Sequence, residues 1–433
     1  MKISKHFQSR NPSAIRLASI EFAKRADVNE VTAINTAIGN VSLPAHPKLV
    51  GRLDNMRAKG SPMENGQIMY TATVGLKETN DAVLNIIAAS GFDTTKLYSQ
   101  ITNGGSQAME YILLGTCESG DAAPVLLIDA AYTNYKAMAQ RIKINTVSIS
   151  RNLGIDGKFS LPNISEIEKV IEEHHPGAMV VIPYDNPTGQ FYDHKTMIEL
   201  GKLCVKYDMA MVSDEAYREL FYVNHDVVSI WGLTNAEVPG IEGNRISIET
   251  ASKVWNACGL RIGAMVTDNK EYFEKSVNEG TADLCSPTPS QYIFGALAHE
   301  SKEDLQAWFK KQRDYYFGMM NKATIELKEE LPGVIVSSPD ASIYSVVDVK
   351  NIAKQGFDAK EFVLFCAQEG RIPMDDENYT LLVAPMAGFY SARGENNPGN
   401  TQMRIAYVPT PEEMKKVPKL FAELFRQYEA KRD

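Results

Sequence analysis

Short apolar runs alternate with amphipathic stretches through the middle of the chain, and this alternation predicts an α/β unit. The apolar runs lie at 125–128, 145–149, 178–182, 209–212 and 246–248. Because apolar residues dominate these runs rather than alternating with polar ones, they are typical of strands buried on both faces of a mostly parallel sheet. The amphipathic stretches between them would then be helices that cover the sheet.

A second pattern begins near residue 301. Ser301 and Asp304 resemble a capping box and predict the start of a long amphipathic helix that ends at Pro332-Gly333. The strands predicted beyond it lie at 334–336, 343–347 and 403–407, and they indicate a smaller α+β unit. The domains we expect are a large one over 46–305 and a small one formed by 1–45 and 306–433.

Composition narrows the class of protein. The chain has 433 residues, of which 44% are hydrophobic and 23% charged, and no stretch approaches the ~20 apolar residues of a membrane span. A formal net charge of −9 without a block of basic residues argues against nucleic acid as a partner. The first ten residues are not followed by the apolar region of a secretory signal, so we expect a cytoplasmic protein.

The five cysteines are scattered along the chain and odd in number. They fit reduced core thiols better than a disulfide framework or a zinc site. The sequence therefore predicts no metal site.

A lysine follows the last of the apolar runs. Lys253 comes shortly after the hydroxyl residues Thr250 and Ser252 and eight residues before Arg261, which has a glycine two residues away on each side. This order suits a cofactor with an aldehyde and a phosphate, because an amine forms a Schiff base while hydroxyls and a guanidinium bind phosphate. A lysine after a strand more often lies in solvent, but the glycines indicate a close backbone approach.

Polar residues also follow the earlier predicted strands. Tyr132 comes after the first, Asn186 opens an Asn-Pro-Thr-Gly sequence after the third, and Asp214 and Tyr217 come after the fourth. Ligands of α/β sheets bind beyond the carboxyl ends of the strands. One site could therefore collect all of these side chains together with Lys253.

Four further residues have two interpretations each from the residues alone. Gly105 and Ser106 open an apolar helix whose amides could bind a phosphate, although Ser106 could equally be a simple N-cap. Gly39 could lie beside a ligand carboxylate or be an ordinary turn glycine. Arg404 lies in a predicted strand, where it could face solvent or bind a carboxylate in a cleft.

Taken together, these stretches resemble the fold-type I aminotransferases of class I/II, which depend on pyridoxal phosphate. The motifs that carry the resemblance are Asn186-Pro-Thr-Gly189, Asp214-x-x-Tyr217, and Ser252-Lys253 followed by Gly259-Leu-Arg261-x-Gly263. The resemblance implies a large α/β domain with a mostly parallel sheet between helices, and a smaller α+β domain. It also implies exchange of an amino group between an L-amino acid and a 2-oxo acid, in a homodimer with shared active sites.

The resemblance assigns a role to each candidate residue. Lys253 would form the Schiff base with pyridoxal phosphate, Asp214 would pair with the pyridine nitrogen, and Asn186 and Tyr217 would bind the ring hydroxyl oxygen. Tyr132 would stack on the ring. The phosphate would be held by Thr250, Ser252, Arg261, Gly105, Ser106 and Tyr70 of the partner subunit. The substrate α-carboxylate would be received by Gly39, Asn186 and Arg404.

The chain also departs from the family pattern. Ala130-Ala131 replaces the usual Pro-Gly before Tyr132, and two segments where substrate side chains are chosen, at 340–344 and 385–390, are loose versions of the family sequence. The substrate therefore stays open. The alternatives are a carbon-sulfur β-lyase with the same cofactor and an aminotransferase-like regulatory sensor, which is disfavoured because the roughly 45 residues before the core show no helix-turn-helix.

Overall fold

The computed structural model describes residues 1–10 and 12–432. Its strands are β1 (Thr32–Asn35), β2 (Tyr98–Asn103), β3 (Gly120–Asp129), β4 (Ile144–Ser150), β5 (Asn152–Leu153), β6 (Phe159–Ser160), β7 (Ala178–Val181), β8 (Ala210–Asp214), β9 (Arg245–Thr250), β10 (Ile262–Thr267), β11 (Ile335–Val336), β12 (Tyr344–Asp348), β13 (Ile372–Met374), β14 (Glu377–Leu382), β15 (Ala384–Pro385) and β16 (Gln402–Ala406).

The α-helices are α1 (Lys5–Gln8), α2 (Ala14–Phe22), α3 (Pro47–Asp54), α4 (Lys77–Ala89), α5 (Gly104–Thr116), α6 (Thr133–Arg141), α7 (Ile164–His174), α8 (His194–Lys206), α9 (Lys270–Gly280), α10 (Thr288–Gly295), α11 (Lys302–Glu330), α12 (Ala359–Gln368), α13 (Pro411–Met414) and α14 (Val417–Lys431). In the described part of the chain, no helix combines the length and apolarity needed to cross a bilayer.

A seven-stranded sheet forms the centre of the molecule, in the order β2-β10-β9-β8-β7-β3-β4. The strands from β9 to β4 pair in parallel, and β10 runs antiparallel to both of its neighbours. The mostly parallel sheet predicted from the apolar runs is therefore confirmed. The sequence did not predict β2 and β10, because β2 carries four polar residues and β10 begins inside the glycine-flanked segment around Arg261.

The hydrophobic core lies on both faces of this sheet. Val125 and Leu127 of β3 pack in a core that includes apolar residues of α5 and α6. The intervening Leu126 and Ile128 pack in a larger core on the other face, with residues of α7 and α8. Successive side chains of a strand point to opposite faces, so helices on both sides leave a central strand no face for polar residues.

Two smaller sheets lie in the carboxyl-terminal part of the chain. One is antiparallel in the order β11-β12-β16-β15, and the other pairs the amino-terminal β1 in parallel with β14, which pairs with β13. The helix α11 precedes the strands from β11 to β16 in the chain. The side chain of Ser301 caps it by accepting a 3.1 Å hydrogen bond from the Asp304 amide. The two small sheets meet where the Ala406 amide of β16 donates to the carbonyl of Thr36, the residue directly after β1, at 2.8 Å.

Candidate active site

A cavity of about 930 Å³ opens at the carboxyl ends of the parallel strands, between the central sheet and the strands β12 and β16. It collects nearly every residue that the sequence singled out. The predicted residues that line it are Gly39, Gly105, Ser106, Tyr132, Asn186, Asp214, Tyr217, Thr250, Ser252, Lys253, Arg261 and Arg404. The fold therefore gathers residues from widely separated positions in the chain into one site.

Lys253 lies in the turn after β9, with its side chain partly buried in the cavity wall. Its Nζ donates a 2.6 Å hydrogen bond to the carbonyl oxygen of Gly39. A Cβ atom at position 39 would lie 3.3 Å from that Nζ and would also collide with the Tyr344 hydroxyl. Glycine at this position thus allows the backbone to approach both side chains.

Asp214 ends β8 and presents its carboxylate to the cavity. Oδ1 accepts a 3.0 Å hydrogen bond from the Ala216 amide, and Oδ2 accepts one from the Tyr135 hydroxyl. Burial raises the pKa of Asp214 above its ordinary value, and these two hydrogen bonds oppose the rise because they stabilise the ionised form. The carboxylate accepts no hydrogen bond from a cationic side chain of the described residues, so a protonated ring nitrogen would be a suitable partner.

A chain of hydrogen bonds joins Asn186 and Tyr217 to two residues of the four-stranded sheet, Tyr344 of β12 and Arg404 of β16. Asn186 Nδ2 donates to the Tyr217 hydroxyl at 3.4 Å, and that hydroxyl lies 2.9 Å from the hydroxyl of Tyr344. Asn186 Oδ1 accepts from Arg404 Nη1 at 2.9 Å. Burial raises the pKa of Tyr217 well above its ordinary value, so this hydroxyl keeps its proton and can donate it to an oxygen in the cavity.

Arg404 projects from β16 into the cavity and is only 1% exposed. Its Nη2 donates to the Ala37 carbonyl at 2.6 Å, and its guanidinium carbon lies 4.4 Å from the centroid of the Tyr344 ring. Its Nε has no partner among the described residues, and no carboxylate of those residues pairs with the guanidinium. A buried cation without an anion is costly, so this geometry favours an anionic ligand.

Hydroxyl groups and helix amides form a second polar region of the cavity. The Thr250 and Ser252 hydroxyls lie 2.8 Å apart, and the Ser252 amide donates to Thr250 Oγ1 at 3.1 Å. The helix α5 begins at Gly104, and no side chain caps its first amides. Ser106 therefore lies in the first turn of the helix, so its interpretation as an N-cap is wrong. Uncapped amides at a helix start suit a phosphate.

Close backbone packing brings this helix start to the Arg261 segment. A Cβ atom at Gly263 would lie 2.6 Å from both the Gly104 carbonyl carbon and the Gly105 nitrogen. A Cβ atom at Gly104 would meet the Arg261 guanidinium, with its Nη2 at 2.5 Å. Glycine at these positions lets the guanidinium, the helix amides and the end of β9 converge where a phosphate would bind.

Tyr132 comes directly before α6 and forms another wall of the cavity. Its hydroxyl accepts a 2.8 Å hydrogen bond from Asn134 Nδ2, and burial raises its pKa to about 12. The ring is therefore neutral over the physiological range and offers a flat aromatic face. The Ala130-Ala131 departure from the family sequence does not remove Tyr132 from the cavity.

Tyr70 is the one predicted site residue that lies outside this cavity within the described chain. Its side chain is 79% exposed, and its neighbours Ile68 and Met69 are exposed as well. The backbone beneath is anchored, because Thr288 Oγ1 donates to the Met69 carbonyl at 2.7 Å. A role for Tyr70 would require a second subunit, and that role stays a prediction.

Two tyrosines of the cavity were missed by the sequence-based assignment of site residues. The Tyr135 hydroxyl donates a hydrogen bond to Asp214. Tyr344 shares a hydrogen bond with the Tyr217 hydroxyl, and its ring packs against the Arg404 guanidinium. The spacing of Tyr132 and Tyr135 could have indicated the first, since residues three apart share a helix face. Tyr344 ends the segment 340–344 that the resemblance places near the substrate side chain, but it received no role of its own, because its contacts in the cavity come from distant parts of the chain.

Comparison with known proteins gives the same family as the motifs. A family model described as aminotransferase class I and II matches residues 61–417. The chain is similar to a probable aspartate aminotransferase of Methanocaldococcus jannaschii, with 24% identity over 98% of this chain and 100% of the relative. It is also similar to a probable kynurenine-oxoglutarate transaminase of Saccharomyces cerevisiae, with 24% identity over 68% of this chain and 65% of the relative.

Solved structures share the fold. An alanine aminotransferase from Pyrococcus furiosus superposes with a TM-score of 0.79 at 20% identity, covering 98% of this chain and 100% of the other. The aspartate aminotransferase from Thermus thermophilus with maleate gives 0.77 at 19% identity, with coverage of 98% and 100%. These likenesses confirm the predicted fold class.

Proposed function

Because the chain belongs to the aminotransferase class I and II family and is therefore an aminotransferase, we propose that it uses pyridoxal phosphate attached to Lys253. With it, the enzyme moves an amino group between an L-amino acid and a 2-oxo acid. The observation that carries this proposal is the cavity geometry: the buried Arg404, which lacks an anionic partner in the described chain, lines the same space as Lys253 and Asp214.

The residues of the cavity fit this cofactor. The phosphate would be held by the Thr250 and Ser252 hydroxyls, the Arg261 guanidinium and the first amides of α5, at Gly105 and Ser106. Tyr132 would lie against the ring, and Asn186 and Tyr217 would bind its hydroxyl oxygen. When bound, pyridoxal phosphate supplies an aldehyde that condenses with amines and a protonated ring that accepts electrons from the substrate.

Asp214 and Lys253 would control the positions of the protons in the reaction. An ionised Asp214 would keep the ring nitrogen protonated, because a carboxylate next to a cationic group stabilises its charge. The Nζ of Lys253 would act first as a general base that takes the α-proton of the amino acid, and then as a general acid that gives this proton up again. Its hydrogen bond to the Gly39 carbonyl orients the amine towards the cavity.

Arg404 would bind the substrate α-carboxylate with its guanidinium. Asn186 fixes the guanidinium through its 2.9 Å contact with Nη1, and the Ala37 carbonyl fixes Nη2. The guanidinium packs on the Tyr344 and Phe389 rings, 4.4 and 5.2 Å from their centroids. A planar guanidinium held in this way can form two parallel hydrogen bonds to a carboxylate, which a lysine could not.

The proposal includes a homodimer with shared active sites. Tyr70 would contribute to the phosphate site of the partner subunit, and its exposure beside the apolar Ile68 and Met69 supports a contact with another chain. The proposal also keeps the division into a large domain over 46–305 and a small domain formed by 1–45 and 306–433. The pairing of β1 with β14 supports the inclusion of the amino terminus in the small domain.

An amino-acid panel incubated with 2-oxoglutarate tests the reaction. Formation of glutamate supports transamination, whereas ammonia and pyruvate without glutamate would indicate a carbon-sulfur lyase, and no product would indicate a sensor. The comparisons do not favour the lyase, since the relatives they name are aminotransferases or transaminases. Lys253→Ala is the control, because it should abolish either reaction while leaving the rest of the cavity intact.

A further inference from the structure

Tyr135 lies in the first turn of α6 with its side chain only 2% exposed. Its hydroxyl donates to Oδ2 of Asp214, and its ring packs edge-on against Tyr132, with the ring centroids 5.4 Å apart. The backbone fixes the same relationship, since the Tyr135 amide donates to the Tyr132 carbonyl at 3.1 Å. Tyr135 thus joins the residue proposed to stack on the cofactor ring to the residue proposed to pair with the ring nitrogen.

The surroundings of Asp214 disfavour its ionised form. Burial raises its pKa most, and the negative charges of Glu249 and Asp185 raise it further. The groups that face it are Tyr132 from the residue before α6, Tyr135 from α6, Asp185 from the segment after β7, Tyr217 from its own turn and Glu249 from β9, with Lys253, Arg261 and Arg404 also lining the cavity. Within the described chain, the Tyr135 hydroxyl is the only side-chain donor to its carboxylate.

We propose that Tyr135 is a positioning residue that acts through Asp214, holding its carboxylate in place and ionised for the pyridine ring of the cofactor. This inference rests on the proposed function. A hydroxyl that donates a hydrogen bond to a carboxylate stabilises its charged form. The same hydrogen bond fixes the orientation of the carboxylate group. Asp214, held in this way, lines the cavity.

Loss of the hydroxyl has a defined sign. Without it, the ionised form of Asp214 is less stable, so the pKa of Asp214 rises further and the carboxylate becomes protonated at a higher pH. A protonated Asp214 cannot balance the charge of a protonated pyridine. As the pH is lowered, the affinity for pyridoxal phosphate should therefore begin to fall at a higher pH in Tyr135→Phe than in the wild-type protein.

The experiment measures the dissociation constant of pyridoxal phosphate from apoenzyme over a range of pH, together with the absorbance spectrum of the bound cofactor. Tyr135→Phe should raise the dissociation constant about tenfold or more near neutral pH, since hydrogen bonds to charged groups are the stronger ones. Tyr222→Phe is the matched control, because it also removes a buried tyrosine hydroxyl, one that donates to the Ser342 carbonyl at 2.6 Å outside the cavity. The control should match the wild type.

A second variant pair tests whether Tyr135 acts through Asp214. In an Asp214→Asn background no buried carboxylate needs the hydroxyl, so adding Tyr135→Phe should leave the cofactor dissociation constant unchanged. A further loss there, or a single variant equal to the wild type at every pH, overturns the positioning role. A wild-type protein that binds no pyridoxal phosphate would instead overturn the proposed function itself.

Discussion

The Lys253 amine donates a 2.6 Å hydrogen bond to the carbonyl oxygen of Gly39, although the two residues are 214 positions apart in the chain. Gly39 lies in the segment after β1, and Lys253 lies in the turn after β9. The contact therefore joins the amino-terminal segment to the central sheet at the place where substrate and cofactor would meet.

Lys253→Ala should still bind pyridoxal phosphate but should not hold it covalently, because the phosphate and ring contacts remain while the amine is lost. Borohydride reduction followed by peptide mass analysis should find the cofactor on Lys253 in the wild type and on no residue of the variant. Lys77→Ala is the control, since that side chain is 87% exposed. Covalent labelling and full turnover in Lys253→Ala would refute the assignment.

Arg404→Lys should weaken binding of both the amino acid and the 2-oxo acid while leaving cofactor binding nearly unchanged. Lysine keeps the positive charge but cannot make two parallel hydrogen bonds to a carboxylate, which should cost about 1.5–3 kcal/mol. Steady-state kinetics should show this as an increased KM for both substrates. Arg371→Lys, at a side chain that is 42% exposed, should behave as the wild type. Equal KM values in the two variants would place the carboxylate elsewhere.

Gly263→Ala should weaken cofactor binding and lower the melting temperature. The added Cβ would lie 2.6 Å from backbone atoms of Gly104 and Gly105, and backbone in a helix start cannot move aside cheaply. Overpacking of this kind costs about 1–3 kcal/mol. Gly51→Ala is the control, because a Cβ there meets nothing within 4 Å. Thermal unfolding and cofactor titration of both variants would measure the difference, and an unaffected Gly263→Ala would contradict the close packing.

Glu215 should make the stability of the apoenzyme depend on pH. Burial raises its pKa to about 7, although the charge of Arg218 opposes the rise. A carboxyl group whose pKa is raised by folding contributes stability that is present below its ordinary pKa of 4.5 and is lost as the pH rises through about 7.

The melting temperature of the apoenzyme should therefore fall over this range, and Glu215→Gln should flatten that slope because the amide does not ionise. Glu412→Gln, at a side chain that is 77% exposed, should keep the slope of the wild type. An unchanged slope in Glu215→Gln would assign the pH dependence to other groups.

Local sequence patterns predicted the parts of the fold that depend on short-range physics. The buried strands of the parallel sheet were predicted from apolar runs, and the start of α11 from the capping residue Ser301. The strand β10 was not predicted, because a glycine and an arginine at its start resemble a loop. Its pairing with β2 and β9 comes from distant segments that no local pattern reports.

The site residues that could be predicted from the sequence are those that lie in recognisable motifs. Lys253, Asp214 and Asn186 stand in recognisable sequences, and the structure brings them to one cavity. Tyr344 was missed as a site residue because its hydrogen bond to Tyr217 spans two sheets. The role proposed for Tyr70 needs a second subunit, which a single chain does not display.

Tyr70→Phe should weaken cofactor binding by on the order of 1.5–3 kcal/mol, because one hydrogen bond to a phosphate is lost. Mixing tests whether that bond crosses between subunits. A heterodimer of Tyr70→Phe and Lys253→Ala chains would contain one site with both changes and one site with neither. With Lys253→Ala in excess, nearly every Tyr70→Phe chain would pair with it, so the remaining active sites should recover the cofactor affinity of the wild type. A tyrosine that served its own subunit would give no recovery after proven subunit exchange, and a monomer by sedimentation would also exclude the shared site.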